Sequence, residues 1–550
     1  MIFNKISLRL TLAAMVLLVM SSCKKTFEKY TTNPNQPVTV PPSLLLRSIL
    51  NDMYAEKDGD GNTMNTPWGQ DERDCQFTIS NYTYYDHNDY WDGVYHTQYA
   101  GLNYATLTNV LNMEAAAKLG AGGSDFNPYN ALGKFFRAWF FVNMSLKVGD
   151  LPMTQALQGT SSLSPVYDSQ KSIFVQANKW LDSANTEIAA IIQNGVFEFS
   201  GDTYYADLLG NSSTPALIKW QKVINTYRLR VLTELSKKAG DADLNVAAQF
   251  SAILGNSAKY PIMTDMSDNL QYVYNSVTNR YPNNNQVFGT HALRYNMSAS
   301  ITDSLASFHD LRVMMIAEPA RGLGFPDTSF KSFRGAASGL PLSIMAAGVN
   351  SNSTNIYSLI GRHRYYEGLT GEPTFILSYP EMCFNIAEGI ARGWATGDAE
   401  SWYKKGIFAD MSFYGVVDGA NTVIFQKPSG VLGEDVSYTV NFSYADYYAQ
   451  PLVKYDAANP AHALEQILEQ KYLAYFRNSN LEAYFQWRRT GVPGWLQGPA
   501  QSGYNNGGNI PLRFQYPINE STVNAVNYKA AVQSQYGGND DINQAMWIIK

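Results

Sequence analysis

A chain of 550 residues with 45% hydrophobic content can bury a substantial core, as three or four average domains or as one large helical domain with insertions. Its formal net charge of −6 argues against nucleic acid or an anionic lipid surface as the principal partner. Three cysteines rule out a disulfide scaffold, and 37 Tyr, 26 Phe and 10 Trp against only 16% charged residues leave aromatic content as the unusual feature.

The first 22 residues read as a cleaved signal. Lys5 and Arg9 supply a positive start, and an apolar run over residues 10–20 follows. That run is far shorter than the roughly 20 residues a spanning helix needs. Val19-Met20-Ser21-Ser22-Cys23 resembles a bacterial lipobox, so Cys23 is the expected site of lipidation. Several acyl chains on one cysteine anchor far better than one. Loss of Lys5 and Arg9 makes the mature chain more acidic. Residues 23–42, with Asn33-Pro34-Asn35 and Pro41-Pro42, read as a flexible tether.

Residues 43–550 are expected to form one α-helical domain. Ser43 caps a predicted helix over residues 43–56, with Leu46, Ile49, Leu50 and Met53 on one face. Residues 57–90 are polar and aromatic without periodicity. Helical patterns return at residues 90–119, 129–146, 168–192, 215–239 and 246–254. Residues 260–375 are loop-dominated, rich in Asn, Ser, Gly and Tyr. A helical pair then spans 379–395 and 399–414 about a Thr396-Gly397-Asp398 turn, close to one tetratricopeptide period. A last helical pair covers 462–487. Strand signals are few, the clearest at residues 438–442. The fold class is mainly α: tetratricopeptide-like helical pairs stacked into a curved scaffold, with long irregular loops. Cys383, in an apolar helical stretch, reads as a small buried hydrophobe.

Several pieces in this order resemble the SusD/RagB family of nutrient-binding outer-membrane lipoproteins, in its SusD-like branch. They are Asn33-Pro34-Asn35, Phe136-Arg137-Ala138-Trp139, Gly149-Asp150-Leu151-Pro152, Tyr167-Asp168-Ser169-Gln170 and Trp220 through Tyr227-Arg228-Leu229-Arg230. Gln470-Lys471-Tyr472, Trp487-Arg488-Arg489-Thr490-Gly491, Arg513, Tyr516-Pro517, Glu520 and Asn524 continue the series. The resemblance implies a non-enzymatic, lipid-anchored outer-membrane protein at the cell surface. Its implied partner is a SusC-like TonB-dependent barrel, over which the lipoprotein closes as a lid. One departure stands at Lys24 and Lys25, where export to the outer face favours acidic residues.

An oligomeric nutrient, and by its chemistry a glycan, is the expected ligand. Sugars present flat C–H faces and many hydroxyls, which aromatic platforms set among a few polar groups can match. The loop at 57–95 offers Trp68, Asp71, Arg73, Tyr82, Tyr84, Tyr85 and Trp91, and the loop at 268–297 offers Tyr272, Tyr274, Arg280, Tyr281 and Tyr295. In resembling proteins the ligand loops lie in these two regions. Any single one of these aromatics is more often packing under its own loop than touching ligand.

No cofactor is expected. Asp58, Asp60 and Asn62 have the alternating spacing of a calcium loop, but Gly69 stands where the bidentate acid belongs, so a solvated turn is the plainer reading. The six histidines show no zinc-ligand spacing. Arg488 and Arg489 are expected to hold carboxylates or carbonyls rather than an anion. Two other readings remain at this stage: a lipid-anchored glycoside hydrolase, which needs two carboxylates about 5–10 Å apart, and a purely protein-binding helical scaffold.

Overall fold

The computed structural model describes residues 40–54, 70–80, 102–210, 212–349, 353–476, 480–504 and 506–550. Cys23, Asp58, Asp60 and Asn62 lie outside the described residues, as do Trp68, Tyr82, Tyr84, Tyr85 and Trp91.

Helix α1 (Pro42–Tyr54) buries the predicted face, Leu46, Ile49, Leu50 and Met53. Strand β1 (Thr78–Ser80) follows, and then helices α2 (Tyr104–Gly120), α3 (Pro128–Val148), α4 (Gln170–Asn194) and α5 (Thr214–Glu234). Their ends follow from local chemistry. The Asn127 side chain accepts the Asn130 N–H, and Pro128 takes the first turn of α3, where its missing donor costs nothing. Ser169 caps α4, and Gly195 ends it in the left-handed region at φ 70°. Each helix from α1 to α5 packs against its neighbour in sequence. That is how helical pairs bury an apolar face that no pair can cover alone.

Helix α6 (Val246–Gly255) closes this first half. The predicted loop-rich region then holds only short elements, among them strands β2 (Leu270–Tyr272) and β3 (Tyr295–Met297), helix α7 (Arg362–Tyr366) and strand β4 (Thr374–Leu377). Helices α8 (Tyr379–Ala391) and α9 (Ala399–Phe413) are the predicted hairpin, each with a polar cap, Ser378 and Asp398. A two-stranded antiparallel hairpin follows, β5 (Gly419–Gln426) with β6 (Asp435–Phe442), paired from Gly419 opposite Phe442 to Gln426 opposite Asp435. Sequence patterning marks only its last five residues, 438–442. Helices α10 (Pro460–Ala474) and α11 (Glu482–Thr490) complete the scaffold. Among the described residues, no helix is long and apolar enough to cross a membrane.

Helix α8 is the joint of the molecule, packing on α5, α9 and α10. Buried ion pairs lock it there. Arg230 of α5 donates from Nε and Nη2 to the two oxygens of Glu381, each at 2.6 Å. Glu388 of α8 takes Arg489 of α11 at 2.6 Å and Lys471 of α10 at 3.3 Å. Arg488 donates to the backbone carbonyls of Leu146 and Leu512, so both arginines hold structural partners, as their sequence setting implied.

A close crossing of α8 and α9 depends on glycine. A Cβ built at Gly406 would stand 2.7 Å from the Phe384 ring, inside any real contact. Gly406→Ala is therefore expected to destabilise the protein by about 1–3 kcal/mol through overpacking, read as a lowered denaturation midpoint.

The C-terminal signature residues dock onto the loop between α3 and α4. The Tyr516 hydroxyl donates to the Asp150 carbonyl at 2.5 Å, the Tyr167 hydroxyl to Glu520 at 2.6 Å, and the Asn524 amide to the Pro165 carbonyl at 2.8 Å. Cys75 and Cys383 are both buried and unpaired.

Candidate functional site

The two aromatic loops singled out in the sequence are joined by a small sheet. β1 pairs antiparallel with β3, setting Thr78 opposite Met297, Ile79 opposite Asn296 and Ser80 opposite Tyr295. The ladder extends inward, where Ser298 N–H donates to the Phe77 carbonyl at 3.1 Å and Met297 N–H to the Ser358 carbonyl at 3.0 Å. Residues 81–101 lie outside the described residues, and the chain enters them from Ser80, directly across from Tyr295.

The base of the first loop is fixed to the helical scaffold. Phe77 stacks on Tyr472 of α10 with centroids 5.0 Å apart. The Tyr472 hydroxyl lies 3.1 Å from the Cys75 carbonyl and 3.0 Å from that of Gln76. Asp71 and Arg73 sit in the short helix Gln70–Asp74 just before this clamp. Asp71 is buried, and Arg73 donates to the Gln70 side chain at 2.6 Å. Asp71 thus belongs to the loop's buried base, while Arg73 is half-buried and keeps some surface.

The second loop is built on a ladder of tyrosines. Tyr54 of α1 and Tyr272 stack face to face, with centroids 3.7 Å apart and planes 4° from parallel. Tyr274 meets Tyr272 edge-on at 5.4 Å and Tyr281 at 5.0 Å, and Tyr281 stacks at 6.4 Å over Tyr365 of α7. The hydroxyls of Tyr54 and Tyr274 are 2.5 Å apart, and Tyr274 reaches Thr374 of β4 at 3.0 Å. Burial first, and then the facing Tyr274, hold the Tyr54 phenol well above its ordinary range, so Tyr54 stays neutral. Tyr274 and Tyr281 are 5% and 1% exposed, which places them as supports inside the ladder.

What the loop presents outward is different. Arg280 is exposed and donates to the Gln286 side chain at 2.7 Å, and Val273 and Val277 are exposed beside it. Asn275 shapes this tip, its Oδ1 accepting from the Val277, Thr278 and Asn279 backbone N–H groups. Tyr272 and Tyr295 are half-buried, each keeping some surface. Of the five residues proposed in this loop, Tyr295, Arg280 and Tyr272 therefore retain accessible surface. One polar feature escaped sequence reasoning: Asn296, opposite Ile79, is fully buried with neither amide atom hydrogen-bonded. Its neighbours in sequence carry no signal of that environment. A separate cleft of about 550 Å³ lies on the helical side, lined by Asp182, Arg228 and Tyr260 among others, and neither loop contributes to it.

A family model described as starch-binding, associating with the outer membrane, matches residues 34–517. The chain belongs to this SusD-like family. A SusD homologue from Bacteroides fragilis NCTC 9343 superposes with a TM-score of 0.75 at 28% identity, covering 93% of this chain and 100% of the other. A second SusD homologue from the same organism gives 0.70 at 28%, again covering 93% and 100%. A chitin-binding SusD homologue from Flavobacterium johnsoniae gives 0.64 at 20%, covering 92% and 98%, and shares the fold. No curated protein matches the chain. The helical SusD-like scaffold predicted from the sequence is thus the observed one.

Proposed function

We propose that this SusD-like protein is a lipid-anchored surface receptor that captures an oligomeric nutrient, a glycan by the chemistry of its loops, and passes it to a SusC-like TonB-dependent barrel without chemical turnover. The observation that carries this reading is the β1–β3 ladder. It pairs one strand from each of the two sequence-distant regions that hold the candidate aromatics, and a convergent binding site is built from segments held together in this way on a scaffold. The family's description, and the chitin-binding relative, support glycan as the ligand class. Lipid on Cys23 and the tether through Pro42 would keep such a lid beside its transporter.

Calorimetry of the soluble mature protein against oligosaccharide panels tests this. Binding is expected for one glycan class, with no release of reducing ends on long incubation. Tyr295→Ala is expected to weaken that binding by about 1 kcal/mol or more, the loss of one aromatic platform. Steady liberation of reducing ends would instead favour the hydrolase reading. Cys23→Ser is expected to release the protein from the membrane fraction and to abolish its co-purification with a large β-barrel.

A further inference from the structure

We propose that His363, Glu367 and Asp435 form a binding site for one divalent transition-metal ion, with zinc the ion that suits them best. His363 and Glu367 stand one helical turn apart on α7 and its C-terminal cap, and Asp435 opens strand β6. His363 Nδ1 lies 2.7 Å from Glu367 Oε2 and 2.9 Å from Asp435 Oδ2. One donor atom from each of the three falls within 4.8 Å of the others. Donors around a tetrahedral zinc stand about 3.3 Å apart, given metal–ligand distances of about 2.0–2.2 Å, so a few tenths of an ångström of opening would admit the ion.

Two carboxylates face one imidazole at this point, so with both carboxylates ionised a net negative charge remains even when the imidazole is protonated. The remaining oxygens, Glu367 Oε1 and Asp435 Oδ1, are buried and make no hydrogen bond. The adjacent arginines point elsewhere. Arg364 holds Glu372 at 2.6 Å, and Arg362 donates to the Ala292 and Ile360 carbonyls.

An imidazole among carboxylates selects a borderline transition ion over calcium, which takes six to eight oxygens. His363 is partly exposed and also lines a groove of about 420 Å³ with Met314, Tyr414 and Thr422. The consequence is mechanical. Glu367 is tied to the candidate ligand loop, since Asn285 donates to its carbonyl at 3.1 Å, and Phe288 packs edge-on to Tyr366 at 5.4 Å. An ion held here would brace that loop against the β5–β6 hairpin.

Competition of the tag-free protein with a chromophoric zinc chelator near pH 7.5 tests the site. One zinc is expected to bind per chain and to raise the melting temperature. His363→Ala and Glu367→Gln are each expected to weaken zinc by roughly 100-fold or more, at or above the top of the range for losing an outer-shell partner, and to abolish the melting shift. Glu367→Gln keeps the side-chain shape and so covers the case in which His363→Ala loosens α7. His462→Ala removes a second histidine–carboxylate pair, His462 with Asp456 at 3.0 Å, and is expected to leave zinc binding unchanged. Absence of stoichiometric binding, or binding retained in His363→Ala and lost in His462→Ala, overturns the proposal.

Discussion

An Arg489→Met protein is expected to lose about 3 kcal/mol of unfolding free energy, the lower end of the cost of breaking a buried pair, because the buried Glu388 carboxylate loses the closest of its three cationic partners. Glu388 and Arg489 are 0% and 1% exposed at their side chains. Lys471 at 3.3 Å and Arg392 at 2.9 Å remain, but neither replaces the 2.6 Å contact. Burial alone would drive the Glu388 carboxyl up. Arg489, Lys471 and Arg392 outweigh it and hold the group well below its usual range. The sign of the pH dependence follows. A depressed carboxyl pKa means the folded state binds fewer protons than the unfolded chain, so the stabilisation is complete above about pH 4.3 and fades as the pH falls below it. The difference between parent and variant in urea unfolding is therefore expected to be largest near neutrality and to narrow in acid. Lys118→Met is the contrast. Lys118 and Asp125 pair at 2.9 Å with side chains 47% and 64% exposed. Solvent screening limits such a pair to about 1 kcal/mol or less, so this variant is expected to unfold close to the parent.

Helix positions were legible because amphipathic periodicity and polar caps are local. Leu46, Ile49, Leu50 and Met53 announce α1, and Ser169 and Gly195 bracket α4 without reference to anything distant. The residues that carried the family resemblance have a common physical role. Arg230, Arg489, Tyr516, Glu520 and Asn524 are joints between helices and crossover loops, which explains why they fix the fold and say little about the ligand. The β5–β6 hairpin was visible only in its second strand. Its first strand, Gly419–Gln426, buries Asn421, Val423 and Phe425 in alternation, but a polar Asn421 on the inner face and an apolar Ile424 on the outer face blur that alternation in the sequence. The metal-ligand triad was invisible for another reason. His363 and Glu367 have helical spacing on a helix of five residues, and their third member arrives from 72 residues beyond His363. Only the fold supplies that proximity. The same holds for the tyrosines of the second loop, where composition marks the cluster and packing alone sorts supports from exposed faces.

That sorting yields a prediction with two separable readouts. Tyr281→Ala is expected to cost about 3–5 kcal/mol of stability, as for other buried aromatics cut back to alanine. Its ring fills the space between Tyr274 and Tyr365, and a Cβ at Gly371 would already lie 2.3 Å from it, so the surroundings are closely packed around this ring. Tyr274→Phe is the finer probe. It keeps the ring contacts and removes the hydroxyl that meets Tyr54 at 2.5 Å and Thr374 at 3.0 Å. Two buried hydroxyls are then left without that partner, so a loss of about 1–3 kcal/mol is expected in chemical unfolding. Because the Tyr274 ring is enclosed, glycan affinity measured on the folded variant should match the parent. Tyr295→Ala should show the opposite pattern, with affinity reduced and stability less affected, since Tyr295 keeps part of its surface across the ladder from Ser80. If Tyr274→Phe weakened the glycan while leaving the denaturation midpoint unchanged, Tyr274 would belong to the contact surface, and the ladder would be the platform itself rather than its support.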